Sequence, residues 1–260
     1  MSVSLSLSDR VALVTGGSRG IGAATVRMFS SAGARVMFNY QNAETAARQL
    51  VDECGKERCT AIRCDLAGRE AGKQLVDATV DEWGRLDILV ANHGIWPPED
   101  APIERMADEQ WRRTMAVNLD AVFRLVKHSV AQMKKQKRQG AARGHMVLIS
   151  STSGQRGEAF HLDYSATKGA LISMTKTLSS ELIGDGIYVN CVAPGWVDTD
   201  MSGPALADPK TRDRVLATIP LGRVGCAEEI AGPILFLCSG LAGFISGEVF
   251  NVNGGAVLVG

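Results

Sequence analysis

The chain has 260 residues, 45% of them hydrophobic, with 28 basic and 28 acidic side chains and a formal net charge of +0. That is enough apolar material for a buried core, and too little charge imbalance for long-range attraction to nucleic acid or an anionic membrane. Six cysteines, Cys54, Cys59, Cys64, Cys191, Cys226 and Cys238, form no CxxC pair and no metal-type spacing with the four histidines, which predicts reduced thiols and no bound metal.

Met1 to Leu7 carries neither a basic flank nor an apolar stretch long enough for a secretory signal, which together with free thiols predicts a cytoplasmic protein. Short runs rich in β-branched residues follow: Val11 to Thr15, Arg35 to Tyr40, Thr60 to Cys64, Leu86 to Ala91, His145 to Ser150, Ile187 to Val192 and Glu248 to Val252. Amphipathic helical patterns separate them. Strands alternating with helices imply right-handed βαβ crossovers, hence an α/β fold: a doubly wound, Rossmann-like parallel sheet of about seven strands. With no repeat and no linker composition, the expectation is a single domain over residues 1–260. Lys134, Lys135, Lys137 and Arg138 read as the wet end of a helix leading into the Gly140 to Gly144 loop. Pro194 to Pro209, rich in Gly, Pro, Asp and Ser, is the longest irregular piece and reads as a lid over a site. Ala231 to Gly247 is the most membrane-like stretch, but Pro233 and several glycines interrupt it, so a core helix followed by a turn is expected.

The first strand runs straight into Gly16-Gly17-Ser18-Arg19-Gly20-Ile21-Gly22 and then a helix. Glycines there allow a tight turn and close approach to a pyrophosphate, which free N–H groups at the helix start attract; the alternative is a plain strand-to-helix connection. After the second strand, Phe38-Asn39-Tyr40-Gln41-Asn42 offers no acid until Glu44 to bind ribose hydroxyls and repel a 2′-phosphate. With Arg19 inside the glycine loop, NADP(H) is expected to be preferred and NAD(H) possible, unless Arg19 simply faces solvent.

Tyr164 and Lys168 are four apart on one predicted helix face, where an ammonium can stabilise a phenolate and lower its pKa. Ser151 lies thirteen residues before Tyr164, between a strand end and a helix start that a doubly wound fold brings to the same edge of the sheet. Trp96, His161 and Trp196 sit in loops near that edge and are candidates to line a substrate cleft, loop packing or a subunit contact being the alternative for the tryptophans.

Together these residues resemble the short-chain dehydrogenase/reductase family in its single-domain form, over nearly the whole chain. The resemblance implies a cofactor loop at Gly16, Ser18, Arg19, Gly20, Ile21 and Gly22, with further cofactor contacts at Tyr40, Asp65, Leu66, Asn92 and Gly94. It implies a catalytic tetrad of Asn118, Ser151, Tyr164 and Lys168, in which Lys168 also binds the nicotinamide ribose and Asn118 holds a relay water. Pro194, Gly195, Val197 and Thr199 match the segment that in the family holds the nicotinamide carboxamide. Asn251-Val252-Asn253-Gly254-Gly255 resembles a common carboxyl-terminal ending, and Ala256 to Val259 fits burial in the family's usual homotetramer. One departure is Ala91-Asn92-His93-Gly94, where the family has Asn-Asn-Ala-Gly; His93 is expected to be structural rather than catalytic. The overall pattern is most similar to 3-oxoacyl carrier-protein reductases, which implies a small carbonyl or alcohol substrate carried on a thioester. A sugar, steroid or other secondary-alcohol dehydrogenase using NAD(H) stays open, as does a non-catalytic NADP-binding sensor.

Overall fold

The computed structural model describes residues 5–140 and 142–259. Met1 to Ser4 of the amino-terminal segment, Ala141 of the Gly140 to Gly144 loop, and Gly260 lie outside the described residues. In chain order the elements are β1 (Val11–Val14), α1 (Gly20–Ser31), β2 (Arg35–Tyr40), α2 (Glu44–Cys54), β3 (Cys59–Arg63), α3 (Ala71–Trp83) and β4 (Ile88–Ala91). The second half adds α4 (Asp108–Met115), a π-helical turn (Ala116–Asp120), α5 (Ala121–Lys135), β5 (Gly144–Ile149), α6 (Thr152–Arg156), α7 (Leu162–Leu182), β6 (Ile187–Pro194), α8 (Gly203–Ala207), α9 (Pro209–Ala217), α10 (Ala227–Leu237) and β7 (Val249–Val252).

All seven strands are parallel in one sheet of order β3-β2-β1-β4-β5-β6-β7. β1 and β4 are buried at every residue because helices cover both faces, so their sequences are continuous apolar runs rather than alternating ones. Alternate side chains still divide between the faces. Val14, Phe29, Val36, Phe38, Val90 and Ile234 fill one core cluster; Leu13, Met37, Leu89, Leu125, Met146 and Leu171 fill the other. Each such fully buried side chain is worth roughly 1.5–3 kcal/mol relative to leaving it exposed. The strand order reverses direction between β1 and β4. Their carboxyl ends therefore diverge into the crevice where open α/β sheets bind ligands.

Two expectations are corrected. Pro194 to Pro209 is not irregular throughout: β6 runs to Pro194, residues 195–202 are turns and bends, and α8 and the start of α9 follow. Pro204, Pro209 and Asp208 are helix-start chemistry, with Pro209 in the first turn of α9 and the Asp208 carboxylate accepting from Thr211 N at 2.9 Å. The basic cluster is also more engaged than a solvated helix end. Lys134 pairs with Asp185 at 2.7 Å, and Arg138 donates to Gly184 O at 3.0 Å, so it fastens α5 to the α7–β6 connection. Ala231 to Gly247 is the end of α10 with Pro233 inside it, then a 3-10 turn, as expected. Among the described residues no helix is long and apolar enough to cross a membrane, and no cluster of metal ligands forms.

Candidate active site

The glycine loop leaves β1 and is held from below by a residue whose role the sequence does not advertise. Buried Asn39 accepts from Gly16 N at 2.9 Å and donates to Cys64 O at 3.1 Å, tying β1, β2 and β3 together at their carboxyl ends. A Cβ on Gly22 would lie 2.2 Å from Gly16 O and 2.7 Å from Asn92 Nδ2, so only glycine lets α1 start this close to the strand. Asn92 completes the turn by donating to Thr15 O and Gly16 O at 3.0 and 3.2 Å. Arg19 precedes α1 without a side-chain cap, and no acid occupies the first turn. The dipole and free N–H groups of that twelve-residue helix are therefore offered to an anion, which fits the pyrophosphate of a dinucleotide. Arg19 is mostly exposed to solvent and makes one long contact. Its Nη1 lies 3.4 Å from Asp200 Oδ2, across the crevice in the segment after β6.

The expected cofactor contacts beyond the loop fall on the same edge with differing exposure. Asp65 caps its own turn by accepting from Ala67 N at 3.0 Å, and Leu66 is buried in the core. Tyr40 is partly buried where β2 ends. Thr199 approaches the glycine loop, since a Cβ on Gly20 would meet its Cγ2 at 3.2 Å. Val197 packs into the core beside α10 and pairs with Gly225, so its side chain supports the segment rather than projecting from it.

Asn118, Ser151, Tyr164 and Lys168 converge from the π-helical turn, the β5–α6 junction and α7. Ser151 caps α6, its Oγ accepting from Ser153 N at 3.1 Å, which leaves the hydroxyl proton free to point toward Tyr164. Gly154 makes this possible: a Cβ there would lie 2.5 Å from the Lys168 carbonyl carbon, so any other residue would push α6 off α7. Lys168 Nζ donates to Ile149 O at 2.7 Å and lies 5.6 Å from the centre of the Tyr164 ring. Asn118 is fastened to the backbone after β4. Its Nδ2 donates to Ile95 O at 2.9 Å and its Oδ1 accepts from Ile95 N at 2.8 Å, with Thr167 Oγ1 at 3.4 Å from Nδ2. Gly94 lies inside this group, since a Cβ on it would be 3.3 Å from Asn118 Oδ1 and 3.5 Å from Lys168 Nζ.

The electrostatics differ from the sequence expectation. Desolvation pushes the Tyr164 phenol up to about 12, the Ser151 hydrogen bond opposing it and the Glu158 charge adding to it. Burial also lowers Lys168 to about 8. The ammonium does not depress the phenol here because it is committed to Ile149 O and carries its own desolvation cost.

Trp96, His161 and Trp196 come together above the site. The Trp96 and His161 rings stack with centroids 4.9 Å apart and an 11° interplanar angle, and Trp196 meets Trp96 edge-on at 6.0 Å. His161 Nε2 is 3.0 Å from Pro97 O, which fixes the loop carrying Trp96. Glu158 accepts from Ser153 beneath this cluster. The supports missed in sequence, Asn39, Thr15, Ser150 and Thr167, are ordinary polar residues whose only signal is a position beside a recognised motif. Ser150 Oγ donates to Lys168 O and Thr167 Oγ1 to Tyr164 O, each at 2.7 Å.

A family model described as enoyl-(acyl carrier protein) reductase matches residues 16–257. The chain is 39% identical to the 3-oxoacyl-[acyl-carrier-protein] reductase of Synechocystis sp., over 97% of this chain and 98% of that one. It is 37% identical to 3-oxoacyl-[acyl-carrier-protein] reductase FabG of Vibrio cholerae, over 98% and 100%. Among solved structures it is similar to a short-chain dehydrogenase/reductase from Brucella melitensis, described as a glucose/ribitol dehydrogenase, with TM-score 0.89 and 31% identity over 99% of this chain and 100% of that one. A dehydrogenase/reductase from Sinorhizobium meliloti gives TM-score 0.89 and 35% identity over 98% of both chains. With the glycine loop, the doubly wound sheet and the tyrosine–lysine pair on one edge, these matches show that the chain belongs to the short-chain dehydrogenase/reductase family of NAD(P)-dependent oxidoreductases acting on CH–OH and keto groups.

Proposed function

We propose that the protein reduces a ketone to a secondary alcohol with NADPH, and that its substrate is a 3-oxoacyl thioester. The observation that carries the reaction is the meeting of Tyr164, Ser151 and Lys168 at the same sheet edge as the uncapped start of α1. Bound NADPH supplies the hydride that adds to the carbonyl carbon. Residues Gly16 to Gly22 would hold its pyrophosphate, Arg19 its 2′-phosphate, and Lys168 its nicotinamide ribose, with Tyr40, Asp65, Leu66, Asn92, Gly94 and Pro194 to Thr199 around it. Tyr164, held protonated far above neutral pH, gives its proton to the carbonyl oxygen as negative charge develops, and Ser151 orients that oxygen. The proton is replaced through Lys168 and a water at Asn118. The Asn118 amide is already held by Ile95 O, Ile95 N and Thr167, which fixes the residue beside Lys168.

The names of the relatives in Synechocystis and Vibrio cholerae support the thioester. The stacked Trp96, His161 and Trp196 favour a second reading, a flat cyclic ketone or a polyol, in keeping with the glucose/ribitol dehydrogenase name of the Brucella protein. The whole chain acts as one catalytic domain, with α8 and the turns around it, within residues 194–209, closing over the substrate. The exposed Phe244, Leu258 and Val259 suit burial against other copies in a homotetramer, and the protein is assigned to the cytoplasm. NADPH and NADH consumption should be measured with acetoacetyl thioesters, cyclic ketones and, in reverse, polyols. Turnover of the thioester at least tenfold better with NADPH carries the proposal; cyclic ketones alone move it to the second reading, and no turnover of any carbonyl leaves a nucleotide-binding sensor. A monomeric mass by light scattering at micromolar concentration contradicts the tetramer.

A further inference from the structure

We infer that His93 is a positioning residue that holds the helical turn bearing Asn118 in register with the glycine loop, through a hydrogen bond from its Nε2 to the Val117 carbonyl. The kinetic consequence rests on the reductase reading above; the structural one does not.

His93 is buried, and both ring nitrogens are engaged: Nε2 lies 3.0 Å from Val117 O and Nδ1 2.7 Å from Thr15 Oγ1. A carbonyl only accepts, so Nε2 carries the hydrogen and Nδ1 of the neutral ring accepts from the Thr15 hydroxyl. Thr15 Oγ1 in turn accepts from Asn92 N at 3.1 Å and His93 N at 3.3 Å. One tautomer therefore satisfies both ring nitrogens, the single Thr15 hydroxyl proton going to the 2.7 Å contact with Nδ1 rather than to Val90 O at 3.3 Å, which already accepts from Thr15 N. Burial, with repulsion from Lys168, pushes the His93 pKa down to about 4, so that tautomer persists through neutral pH.

The partner segment needs an outside hold. Residues 116–120 are in π register, with Ala121 N donating to Ala116 O five residues back, a geometry that a helix adopts locally where something imposes it. The loop after β4 grips two consecutive residues of that turn, Val117 through His93 and Asn118 through Ile95. The same loop is rooted on Thr15 at the end of β1. Phosphate loop, His93 and relay residue thus form one chain of direct contacts, and shortening the His93 link moves Asn118 relative to Lys168.

The two bonds can be separated. In His93→Gln the amide nitrogen occupies the place of Nε2 and keeps the donor to Val117; in His93→Asn the amide oxygen occupies the place of Nδ1 and keeps only the Thr15 contact. His93→Gln is expected to keep kcat within about threefold and His93→Asn to lose roughly 10- to 100-fold, with NADPH affinity by fluorescence within about threefold in both. Amides 117–122 should exchange hydrogen at least about tenfold faster in His93→Asn than in His93→Gln. Equal losses in both variants, whether of structure, exchange protection or turnover, would reduce His93 to core filler and overturn the inference. Hydrogen exchange needs no substrate, so it decides the role of His93 even if the wild type turns over no carbonyl, a result that would sink the reductase reading alone.

Discussion

Two buried histidines sit at opposite ends of the sheet, and both are pushed down to about 4 mainly by burial. His93, at the carboxyl end, is bonded at both nitrogens and joins two segments that carry site residues. His145, at the amino end of β5, stacks on Tyr188 at 5.2 Å with its Nδ1 lacking a hydrogen-bond partner. Its neighbour Asp87 is fully buried and fully occupied, taking Arg85 at 2.8 and 2.6 Å and Val11 N at 2.9 Å. A shifted pKa therefore does not mark a functional site here. What separates the two ends is what the polar groups join: at the amino edge the Asp87 carboxylate is taken up by Arg85 and the backbone of β1, whereas Tyr164, Lys168 and the uncapped N–H groups of α1 gather at one edge of the sheet.

After Tyr164 itself, the largest effect on activity that would break this contrast is at Lys168. Lys168→Ala should lower kcat/KM by roughly two orders of magnitude and shift the pH profile of alcohol oxidation, because an amine of pKa about 8 no longer passes the proton between Tyr164 and solvent. An unchanged pH profile removes Lys168 from the mechanism. Next, Arg19→Ala should raise the KM for NADPH about tenfold and leave NADH nearly unaffected, since only the 2′-phosphate is lost as a partner. Asp200→Asn sharpens the same point. It frees Arg19 from an exposed pair worth at most about 1 kcal/mol, so NADPH should bind no more than a few-fold tighter.

At the amino edge the expected effect is on stability alone. A histidine at about 4 when folded and 6.5 when unfolded binds its proton more readily in the unfolded chain, so its contribution is complete above pH 6.5 and lost as pH falls toward 4. For His145 that loss is about 3 kcal/mol. His145→Phe keeps the stack on Tyr188 and should flatten the decline of the urea midpoint between pH 6.5 and 4 without changing turnover at pH 7. A full decline in the variant, or lost turnover, would erase the distinction between the two ends.

The sheet was legible because each strand is a short β-branched run between turn residues, and all seven appear within two residues of where the pattern puts them. The tyrosine–lysine pair and the glycine loop were legible because their spacing is local, four residues along one helix and seven along one turn, whereas Asn118 entered only through the family resemblance. What was not legible depends on distance in the chain. Asn39 holds Gly16 from 23 residues away, Thr15 meets His93 across 78, and the engagement of Arg19 by Asp200 spans 181. The direction of the Tyr164 shift was misread for the same reason, since desolvation is set by everything packed around the phenol and not by the residue four positions on.

The most direct measurement is the turnover of Tyr164→Phe, which removes one hydroxyl from an otherwise unchanged ring. With NADPH and a substrate that the wild type reduces, the account predicts a fall in kcat of about three orders of magnitude, with NADPH affinity within roughly threefold of wild type. A variant that keeps near-normal kcat would show that the proton comes from elsewhere, and the reading of this site would fail.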